Sequence, residues 1–405
     1  MTSEAAIMLC AGQRLDAASA GTMGAEALAA LRREIRDELA RHAVAVGYAS
    51  ASAGADIIFG EEVLARSGEL HIFLPCPRDD FAEQYVAPAG EEWMARFRSL
   101  VASATEVEIS CEERLIGDDT LLRYNNQILQ GMARIHAERL GGHARLLAVW
   151  SPEAPADPGS PADFMDQWPE LEHLSLIDLD DLRQRTGHGG GPSADLSGSV
   201  SALAIGLSPL VVRAILFADM ATYTSFSDEQ VPLLWDFLAE VQQVVEARAK
   251  PPILINTWGD AVHAAAETAL DLAGYALALV DAIATLDPEP FGLANRPRFR
   301  VALHAGPVYV GLQPLTGRSM VYGHHVNRAA RIETVAAPGE AYASQHFVAL
   351  LWAEMDSLQH EARLTGGTYR RPYRVEYVGR VKLPKHFGSE ALYRLLPTAD
   401  TSNER

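Results

Sequence analysis

Hydrophobic and polar positions follow two different patterns along the chain. The first pattern extends over residues 1–150. Short apolar runs predict strands there, and longer stretches with apolar residues every three or four positions predict helices. The predicted strands are residues 7–10, 44–48, 69–74, 104–109 and 145–150, and the predicted helices are residues 25–42, 56–66 and 120–140. Strands that alternate with helices favour an α/β fold built on a parallel sheet.

A second pattern begins after residue 200, where strands follow one another and long helices lie beside them. The predicted strands are residues 211–217, 252–256, 261–265, 298–304 and 308–312, and the predicted helices are residues 228–248, a segment ending at residue 283, and residues 325–336. Strands without a helix between them indicate an α+β arrangement. We therefore predict two domains with different folds.

A stretch rich in Gly, Ser and Pro separates the two patterns. Its sequence, RQRTGHGGGPSADLSGS over residues 183–199, is unsuited to a buried element and is typical of a flexible linker. The alternative, a glycine loop around a phosphate, lacks the spacing of phosphate-binding loops and does not follow a strand. The predicted domains are residues 1–183 and 200–405, joined by a linker over residues 184–199.

Charge narrows the classes of partner. The 405 residues include 34 Lys and Arg against 53 Asp and Glu, which gives a formal net charge of -19. This charge repels a nucleic-acid polymer or an anionic membrane surface, so neither is an expected partner. A small anionic substrate remains compatible with it, provided that metal ions or a few local cations neutralise that substrate.

The cysteines and the apolar segments indicate a cytoplasmic protein. Cys10, Cys76 and Cys111 are widely spaced and form no metal-binding motif, which favours reduced, buried thiols. The apolar run at residues 5–11 follows Glu4, where a secretion signal would carry positive charge. Other apolar segments contain charged residues or proline, so no membrane helix is expected.

Two acidic residues stand where predicted strands end in the second domain. Asp219 closes the segment VVRAILFAD, and Asp260 ends the segment ILINTWGD at a turn. Two carboxylates at strand ends can share divalent cations, because Mg²⁺ binds a few carboxylate oxygens and completes its shell with water and phosphates. Aspartate is common at turns, so the pair alone is weak evidence.

An amide and a guanidinium follow on a predicted helix. Asn327 and Arg331 lie four positions apart in the segment VYGHHVNRAARIE, so both side chains project from one helix face. The amide suits a ribose oxygen, and the planar fork of N–H donors suits a phosphoryl group.

Four segments together resemble the catalytic domain of the class III nucleotidyl cyclases, the adenylate and guanylate cyclase superfamily. The segments FADMATYTSFS, NTWGDAV, RVALHAGPVYVG and VYGHHVNRAARIE occur in the family's order, and the resemblance runs from about residue 214 to residue 396. The resemblance implies an α+β, ferredoxin-like cyclase domain. It also implies a nucleotidyl cyclase activity, in which a nucleoside triphosphate becomes a 3′,5′-cyclic nucleotide and pyrophosphate.

The resemblance implies a role for each matching residue. Asp219, Asp260 and the Met220 carbonyl would hold two Mg²⁺ or Mn²⁺ ions per site. Asn327 would orient the ribose, and Arg331 would stabilise the transition state at the α-phosphorus. Family members act as head-to-tail dimers, so the metal-binding residues of one chain would face the amide and the guanidinium of a second copy.

The positions matched to other substrate contacts fit the family less well. Lys385, with Lys382 as the alternative, stands where the family often has a phosphate-binding lysine. Asn256 and Met320 occupy the two positions that read the purine, and they match neither the adenylate pair of lysine and aspartate nor the guanylate pair of glutamate and cysteine. An amide both donates and accepts, whereas a thioether is a weak acceptor, so we expect modest discrimination between bases.

ATP is the provisional substrate, chosen on the frequency of adenylate cyclases in the superfamily and not on any residue. The enzymatic alternatives are a guanylate cyclase and a uridylate or cytidylate cyclase of bacterial antiviral signalling. The alternative from another class is a catalytically silent, cyclase-like module that binds a nucleotide.

The histidines and one tryptophan of this half have structural interpretations. His304 is expected to end a strand and pack, because no second histidine or cysteine accompanies it at ligand spacing. His324 and His325 are expected to be polar loop residues. Trp258 is expected in the core, with a place in the base pocket as the alternative.

The first domain carries a second, less specific resemblance. Residues 47–81, GYASASAGADIIFGEEVLARSGELHIFLPCPRDDF, resemble the Rossmann-like nucleotide-sensing domains of the LOG family, and the resemblance covers about residues 7–150. In such domains small residues let backbone N–H groups approach a phosphate at a helix N-terminus. Gly54, Asp56 and Glu62 are candidates for binding a nucleotide-derived ligand. An equally weighted alternative is that the small residues only allow a helix to pack closely on the sheet.

Overall fold

The computed structural model describes residues 6–15, 23–114, 119–152, 157, 159–168, 170–186, 210–385 and 387–398. The chain divides into two compact units, Met1–Leu207 and Ser208–Arg405. Residues 187–199 of the predicted linker lie outside the described residues, whereas residues 184 and 185 end the last helix of the first unit. The domain limits drawn from the sequence therefore stay a prediction.

The first unit is built on a six-stranded parallel sheet. Its strands are β1 (Ala6–Gly12), β2 (Val44–Ala49), β3 (Glu69–Leu74), β4 (Glu106–Ile109), β5 (Ala144–Trp150) and β6 (Leu174–Asp178), in the order β4-β3-β2-β1-β5-β6. Every pair of neighbouring strands runs parallel. The predicted parallel sheet is confirmed, and the five predicted strands agree with the observed ones to within two residues at each end.

Helices connect these strands and cover the sheet. They are α1 (Ala25–Arg41), α2 (Ala55–Ala65), α3 (Arg78–Tyr85), α4 (Glu91–Ser103), α5 (Asp119–Arg139), α6 (Pro161–Asp166) and α7 (Leu179–Arg185). In α1 the residues Ala27, Leu31, Ile35 and Leu39 are buried at four-residue spacing and form one apolar stripe. The hydrophobic pattern predicts α1, α2 and α5 but misses α3, α4 and α6; the buried residues of α3 are only Phe81 and Ala82.

The strand order predicts a ligand-binding crevice at one edge of this sheet. β1 lies between β2 and β5, so the order of the chain reverses at β1. In open parallel sheets, ligands bind beyond the carboxyl ends of the strands at which the order reverses. Gly12 ends β1, and Gly54 precedes α2 at the same edge of the sheet. This edge contains the segment in which the sequence predicts a ligand, and the ligand itself stays a prediction.

The second unit is a mixed sheet with helices. Its strands are β7 (Val211–Met220), β8 (Leu254–Trp258), β9 (Ala261–Ala266), β10 (Phe299–Leu312), β11 (Ser319–Tyr322), β12 (Ala341–Ser344), β13 (Tyr373–Lys382) and β14 (Ser389–Pro397), in the order β13-β14-β12-β10-β7-β9-β8, with β11 paired to β10. The helices are α8 (Val231–Glu246), α9 (Ala269–Thr285), α10 (His324–Glu333) and α11 (Gln345–Leu364). β10 and β12 are parallel, and the other neighbours are antiparallel. The α+β class agrees with this arrangement, and the ferredoxin-like topology stays a prediction.

The long strand β10 corrects the sequence prediction of two strands at residues 298–304 and 308–312. It runs without a break through Gly306, opposite Arg213, and Pro307, opposite Val212. Glycine and proline usually mark an interruption or a bulge in a strand, which is why the pattern predicts two strands. Gly306 has a packing reason, because a Cβ there would lie 2.2 Å from Nδ1 of His325.

A tight hairpin joins β8 to β9 and positions an acidic residue. Gly259 and Asp260 form its two-residue turn, and Gly259 has a φ of 59°, which glycine adopts without steric cost. β9 pairs with β7, with Val262 opposite Ala218. Asp260 is therefore held close to the end of β7.

The membrane and cysteine predictions can be compared with the described residues. Among them, no helix is both long enough and apolar enough to span a membrane. Cys10, Cys76 and Cys111 are buried and form no disulfide with one another, in agreement with the sequence. Burial raises the pKa of Cys76 to about 12, so this thiol is protonated at neutral pH.

Candidate active site

Asp219 lies next to the end of β7, where its carboxylate is partly exposed. Arg300 lies opposite it on β10, with Nη1 3.8 Å from Oδ2 of Asp219. Burial raises the pKa of Asp219, the negative charge of Asp260 raises it further, and Arg300 opposes the shift. Met220 follows as the last residue of β7 and is buried. The acidic end of β7 is therefore close to a second carboxylate and one guanidinium.

The carboxylates of Asp219 and Asp260 form a donor set for divalent cations. The effect of Asp260 on the pKa of Asp219 shows that the two like charges repel each other. A divalent cation between them would replace this repulsion with attraction, and carboxylate oxygens are the ligands that Mg²⁺ and Mn²⁺ prefer. The residues present therefore fit the ions that the resemblance implies.

A third carboxylate, Glu333, joins this group from the end of α10. Burial raises its pKa to about 7, with further contributions from Asp219 and Asp260 and an opposing one from Arg300. Sequence reasoning missed Glu333 and Arg300, although both lie within two of the quoted segments. Only the pairing of β7 with β10 and the packing of α10 on β7 associate them with Asp219.

Asn327 and Arg331 lie on a different side of α10 from Glu333. A helix turns about 100° per residue, so Arg331 and Glu333 point about 200° apart, whereas Asn327 and Arg331 share one face. The guanidinium of Arg331 lies over the ring of Phe387, 5.7 Å from its centroid, and His324 stacks on the same ring. Asn327 is exposed. Within one chain, the amide and guanidinium are together, but they face away from the carboxylates.

The loop between β13 and β14 brings a lysine to the Arg331 side of α10. Phe387 belongs to this loop, which the Leu383 N–H closes by donating to the Gly388 carbonyl at 2.9 Å. Lys385 is exposed in the same loop and has a φ of 58°. Arg331 therefore packs on the loop that carries Lys385, whereas Lys382 is the last residue of β13.

The two residues expected to read the base lie on strands that are not neighbours. Asn256 lies on β8 opposite His263, and Met320 lies on β11 opposite Gly311. β9, β7 and β10 separate these strands in the sheet. Both residues are half-buried. The structure does not place them side by side on adjacent strands.

The aromatic residues singled out in the sequence differ from expectation. Trp258 is 90% exposed at the end of β8 and is not a core residue. His325 is a buried residue of the first turn of α10 rather than a polar loop residue, and His324 begins the same helix. His304 does have histidine neighbours, because its Nε2 lies 2.9 Å from Nδ1 of His325. Folding brings together residues that ligand-spacing motifs do not connect.

In the first unit, Asp56 is engaged by its own chain. It is 4% exposed and accepts hydrogen bonds from the Gly12 N–H at 2.9 Å and the Ser52 hydroxyl at 2.8 Å. Burial raises its pKa to about 6, against the lowering effect of these hydrogen bonds. Gly54 caps α2 with a φ of 118°, and a Cβ there would lie 3.0 Å from Cγ of Leu15. Both residues join the end of β1 to the β2–α2 turn.

Glu62 does not lie with Gly54 and Asp56 as a ligand-binding group. It is 2% exposed, and its carboxylate accepts from Arg32 at 2.7 Å and from Arg36 at 2.8 Å. Both arginines belong to α1, so Glu62 ties α2 to α1. Two positive partners lower its pKa against the effect of burial. The expectation of a ligand contact at Glu62 is therefore corrected to an ion pair between helices.

Residues 211–375 match the family model for the adenylate and guanylate cyclase catalytic domain. The match begins at β7, ends in β13, and contains Asp219, Asp260, Asn327 and Arg331. The second unit therefore contains a nucleotidyl cyclase catalytic domain. No curated protein matches the chain.

Solved cyclase domains are similar to about half of the chain. The guanylate cyclase domain of RhGC from Catenaria anguillulae, in complex with GTP, is 18% identical over 47% of this chain and 98% of that chain, with a TM-score of 0.35. The adenylyl cyclase CyaB from P. aeruginosa is 16% identical over 47% of this chain and 96% of that chain, with a TM-score of 0.36. An adenylate cyclase from Trypanosoma brucei in its monomeric state is 20% identical over 45% of this chain and 89% of that chain, with a TM-score of 0.33. The family assignment rests on the family model.

Proposed function

We propose, on the premise that residues 211–375 are a nucleotidyl cyclase catalytic domain, that the protein converts a nucleoside triphosphate into a 3′,5′-cyclic nucleotide and pyrophosphate. One observation carries this proposal: the turn between β8 and β9 brings Asp260 to the end of β7 beside Asp219, where the charge of Asp260 raises the pKa of Asp219. ATP is the provisional substrate. Two copies of the chain form each site.

The proposed reaction is an in-line substitution at the α-phosphorus. The ribose 3′ oxygen bonds to the α-phosphorus, the bond from that phosphorus to pyrophosphate breaks, and the hydroxyl proton passes to solvent. Asn327 hydrogen-bonds the ribose and keeps the 3′ oxygen in line. Arg331 donates N–H groups to the α-phosphoryl oxygens, where negative charge develops.

Asp219, Asp260 and the Met220 carbonyl are the groups that would hold two Mg²⁺ or Mn²⁺ ions. Such ions, when bound, neutralise the triphosphate and stabilise charge on the attacking and leaving oxygens. The chain has a formal net charge of -19, so it repels a triphosphate elsewhere on its surface. Lys385 is proposed to hold the polyphosphate from the β13–β14 loop, on the side of α10 that carries Arg331.

The direction of the side chains on α10 supports a head-to-tail homodimer. Glu333 faces the carboxylates of its own chain, and Arg331 points about 200° away from it on the same helix. Asn327 shares the Arg331 face and is exposed. A second copy can therefore supply the amide and the guanidinium to the carboxylates of the first.

Exposed apolar side chains in the second unit also support association with a second copy. Trp258 and Leu315 are both 90% exposed, and Leu312 is 68% exposed. Trp258 lies at the end of the sheet that carries Asp219, whereas Leu312 and Leu315 lie beyond the opposite end of β7. A second copy that covers either surface would remove these apolar side chains from water.

The product mixture formed from four competing substrates tests the reaction and the base together. Purified protein containing residues 1–405 would be incubated with Mn²⁺ or Mg²⁺ and equimolar ATP, GTP, CTP and UTP, and the products separated by chromatography. We expect cyclic nucleotide, with cyclic AMP as the provisional product. Formation of cyclic GMP, UMP or CMP instead would reassign the base, and no cyclic product from any substrate would reject the cyclase proposal.

The second candidate, a silent module that binds nucleotide without turnover, is favoured by Asn256 and Met320, which match neither purine pair. It predicts that nucleotide binding is measurable by calorimetry while no cyclic product forms. Cyclisation that disappears in Asp219→Ala would exclude it. We favour the enzyme, because both metal-binding carboxylates are retained.

We propose the first unit as a sensor for a nucleotide-derived ligand at the crevice beyond β1 and β5, with a Rossmann-like binding mode. Gly54 at the start of α2 supports this, because backbone N–H groups at a helix N-terminus suit a phosphate. Asp56 and Glu62 would support this edge rather than touch the ligand, since their oxygens are bonded within the chain. Protection of the amides of residues 50–56 from hydrogen exchange by added nucleotides tests the site.

A further inference from the structure

Three buried imidazoles meet beneath α10, at a place the proposed reaction does not use. His304 lies on β10, His325 is the second residue of α10, and His346 is the second residue of α11. Each is at most 1% exposed, and their ligand-type nitrogens all lie within 4.8 Å of one another. The cluster joins the strand and the two helices that pack around it.

A line of hydrogen bonds runs through this cluster. Ser344 caps α11 by accepting from the Phe347 N–H at 3.1 Å, and its hydroxyl lies 2.7 Å from Nδ1 of His304. The other ring nitrogen of His304, Nε2, lies 2.9 Å from Nδ1 of His325. Each neutral imidazole has one donor nitrogen and one acceptor nitrogen. Two neutral rings and the Ser344 hydroxyl can therefore form a continuous chain of hydrogen bonds, in which every donor points the same way along the chain. The start of α11 is thus linked through β10 to the start of α10.

Gly306 makes the contact between α10 and β10 close. It lies two residues after His304, so both face the same side of the strand. A Cβ at Gly306 would lie 2.2 Å from Nδ1 of His325 and 2.3 Å from its Cγ. The ring of His325 therefore occupies the space that a side chain at residue 306 would need. This contact is specific to one position of the helix along the strand.

The surroundings keep His304 and His325 neutral. Burial lowers the pKa of His304 and His325 well below the usual value, and the nearby imidazoles and Arg328 lower it further. Arg328 is itself paired with buried Glu390 at 2.8 Å. The groups that act on the two rings from α10 and α11 are His324, Arg328 and His346.

The same surroundings disfavour a metal ion on the three imidazoles. His325 and His346 lie in the first turns of their helices, where the helix dipole places positive charge. Arg328 adds positive charge nearby, which its ion pair with Glu390 partly offsets. The positive helix ends and the Arg328 charge would repel a divalent cation held only by neutral rings. Neutral rings that are hydrogen-bonded to one another carry no charge and are not repelled. We therefore interpret the cluster as a hydrogen-bonded tie.

Apolar packing alone would fix the position of α10 along β10 less firmly than packing together with the His304–His325 hydrogen bond. Ala329 of α10 is buried with Ile215, Ala265, Val308 and Val321, which holds the helix against the sheet. Such packing is not directional and constrains sliding along a strand weakly compared with a hydrogen bond of fixed geometry. A displacement of 1 Å in a catalytic group can lower a rate by about 10²-fold.

We propose that His304 and His325 are positioning residues, whose hydrogen bond holds the first turn of α10 at one place on β10 and thereby sets where Asn327 and Arg331 meet the substrate. His325 precedes Asn327 by two residues in the same helix. This inference rests on the proposed function. It assigns the two histidines a role in the rate of reaction without contact to the substrate.

Two variants of similar size separate the effect of the His325 hydrogen bond from the effect of the side-chain volume. His325→Asn keeps a polar atom near the position of Nδ1, and His325→Leu removes it. We expect His325→Leu to lower kcat by about 10²-fold with little change in KM, because the affected groups act in the transition state. His325→Asn should retain most of the wild-type kcat. Equal losses in both variants would overturn the assignment.

Mixed dimers separate a displaced α10 from general damage to the chain. In a head-to-tail dimer of one Asp219→Ala chain and one His325→Leu chain, one site carries both defects and the other carries neither. Random mixing should therefore recover about a quarter of wild-type activity, since half the dimers have one intact site. A mixture of His325→Leu with Asn327→Ala should recover nothing, because each site then contains one altered α10.

A mixture of Asp219→Ala with Asn327→Ala tests the shared active site separately from the positioning role of His325. If this pair recovers activity and the Asp219→Ala with His325→Leu pair does not, the positioning role is wrong and the proposed function stands. If neither pair recovers activity, the shared site is wrong. Should His325→Leu be insoluble, Gly306→Ala takes its place, because the added methyl displaces His325, and the same recovery is expected.

Discussion

Two carboxylates with raised pKa values, one in each unit, differ in what surrounds their oxygens. Asp56 accepts hydrogen bonds from the Gly12 N–H and the Ser52 hydroxyl, at 2.9 and 2.8 Å. Asp219 has one backbone donor, the Met220 N–H, with Arg300 Nη1 at 3.8 Å, which is beyond hydrogen-bond distance, and a second carboxylate nearby. Burial is the main cause of the raised pKa in both.

The comparison shows that a perturbed pKa alone does not identify a functional site. At Asp56 the chain supplies donors to the charge it buries, so the carboxylate holds β1 to the β2–α2 turn. At Asp219 the chain adds like charge from Asp260, which costs stability unless a cation binds. A carboxylate that its own chain repels is therefore the better candidate for function.

Removal of the Asp219 carboxylate should give the largest loss of cyclase activity without lowering the stability of the protein. We expect Asp219→Asn to lower cyclisation by about 10³-fold, since the lost cation interaction is worth several kcal/mol in the transition state. Unfolding temperature should stay equal or rise, because repulsion with Asp260 disappears. Cyclic nucleotide production and thermal melts measure the two effects.

Asp281→Asn is the matched control for that substitution. Asp281 is a surface residue of α9 paired with Arg248 at 2.7 Å, and surface pairs contribute little. Its activity should equal that of the wild type. A comparable loss of cyclase activity in Asp281→Asn and Asp219→Asn would contradict a specific role of Asp219 in the reaction.

Divalent cations should stabilise the second unit through the same carboxylates. At a concentration 100 times the dissociation constant, Mn²⁺ should add about 2.7 kcal/mol to the free energy of unfolding. For a unit of this size that corresponds to a rise of about 5–10 °C in melting temperature. Asp219→Asn should abolish the rise, and a rise that persists in the variant would place the ions elsewhere.

The local parts of the candidate site were predictable because each lies within a short segment. Asp219 lies near the end of an apolar strand and Asp260 lies in a turn, so their positions can be predicted from neighbouring residues, whereas their roles come from the resemblance. Asn327 and Arg331 need only the helical repeat. The parallel sheet of the first unit is likewise predicted by strands that alternate with helices.

The remaining features depend on tertiary contacts that the pattern does not contain. Arg300 meets Asp219 through the register of β7 with β10, and Glu333 reaches the carboxylates through the packing of α10. The contact between His304 and His325 joins residues 21 positions apart. Gly306 illustrates the same limit, because it predicts a break in a strand but instead makes room for a helix.

The stability of the first unit should depend on pH through Asp56. Its pKa is raised from 3.8 to about 6, so the stability that it contributes is complete below pH 3.8 and is lost as the pH rises through about 6. We expect the free energy of local opening at β1 and α2 to fall by about 2–3 kcal/mol between pH 3.8 and pH 8. Hydrogen exchange of these amides measures it, and Asp56→Asn should flatten the dependence.

The smallest effect distinguishes the hydrogen bonds of Asp56 from its charge. Asp56→Asn keeps an acceptor for the Gly12 N–H, whereas Asp56→Ala leaves that donor and the Ser52 N–H without the carboxylate. We expect Asp56→Ala to lower the opening free energy of β1 and α2 by about 1–2 kcal/mol relative to Asp56→Asn. Hydrogen exchange at pH 8, where the charge in the wild type is complete, measures this difference. Equal values in the two variants would mean that Asp56 acts only as a buried charge, and the contrast with Asp219 would then rest on electrostatics alone.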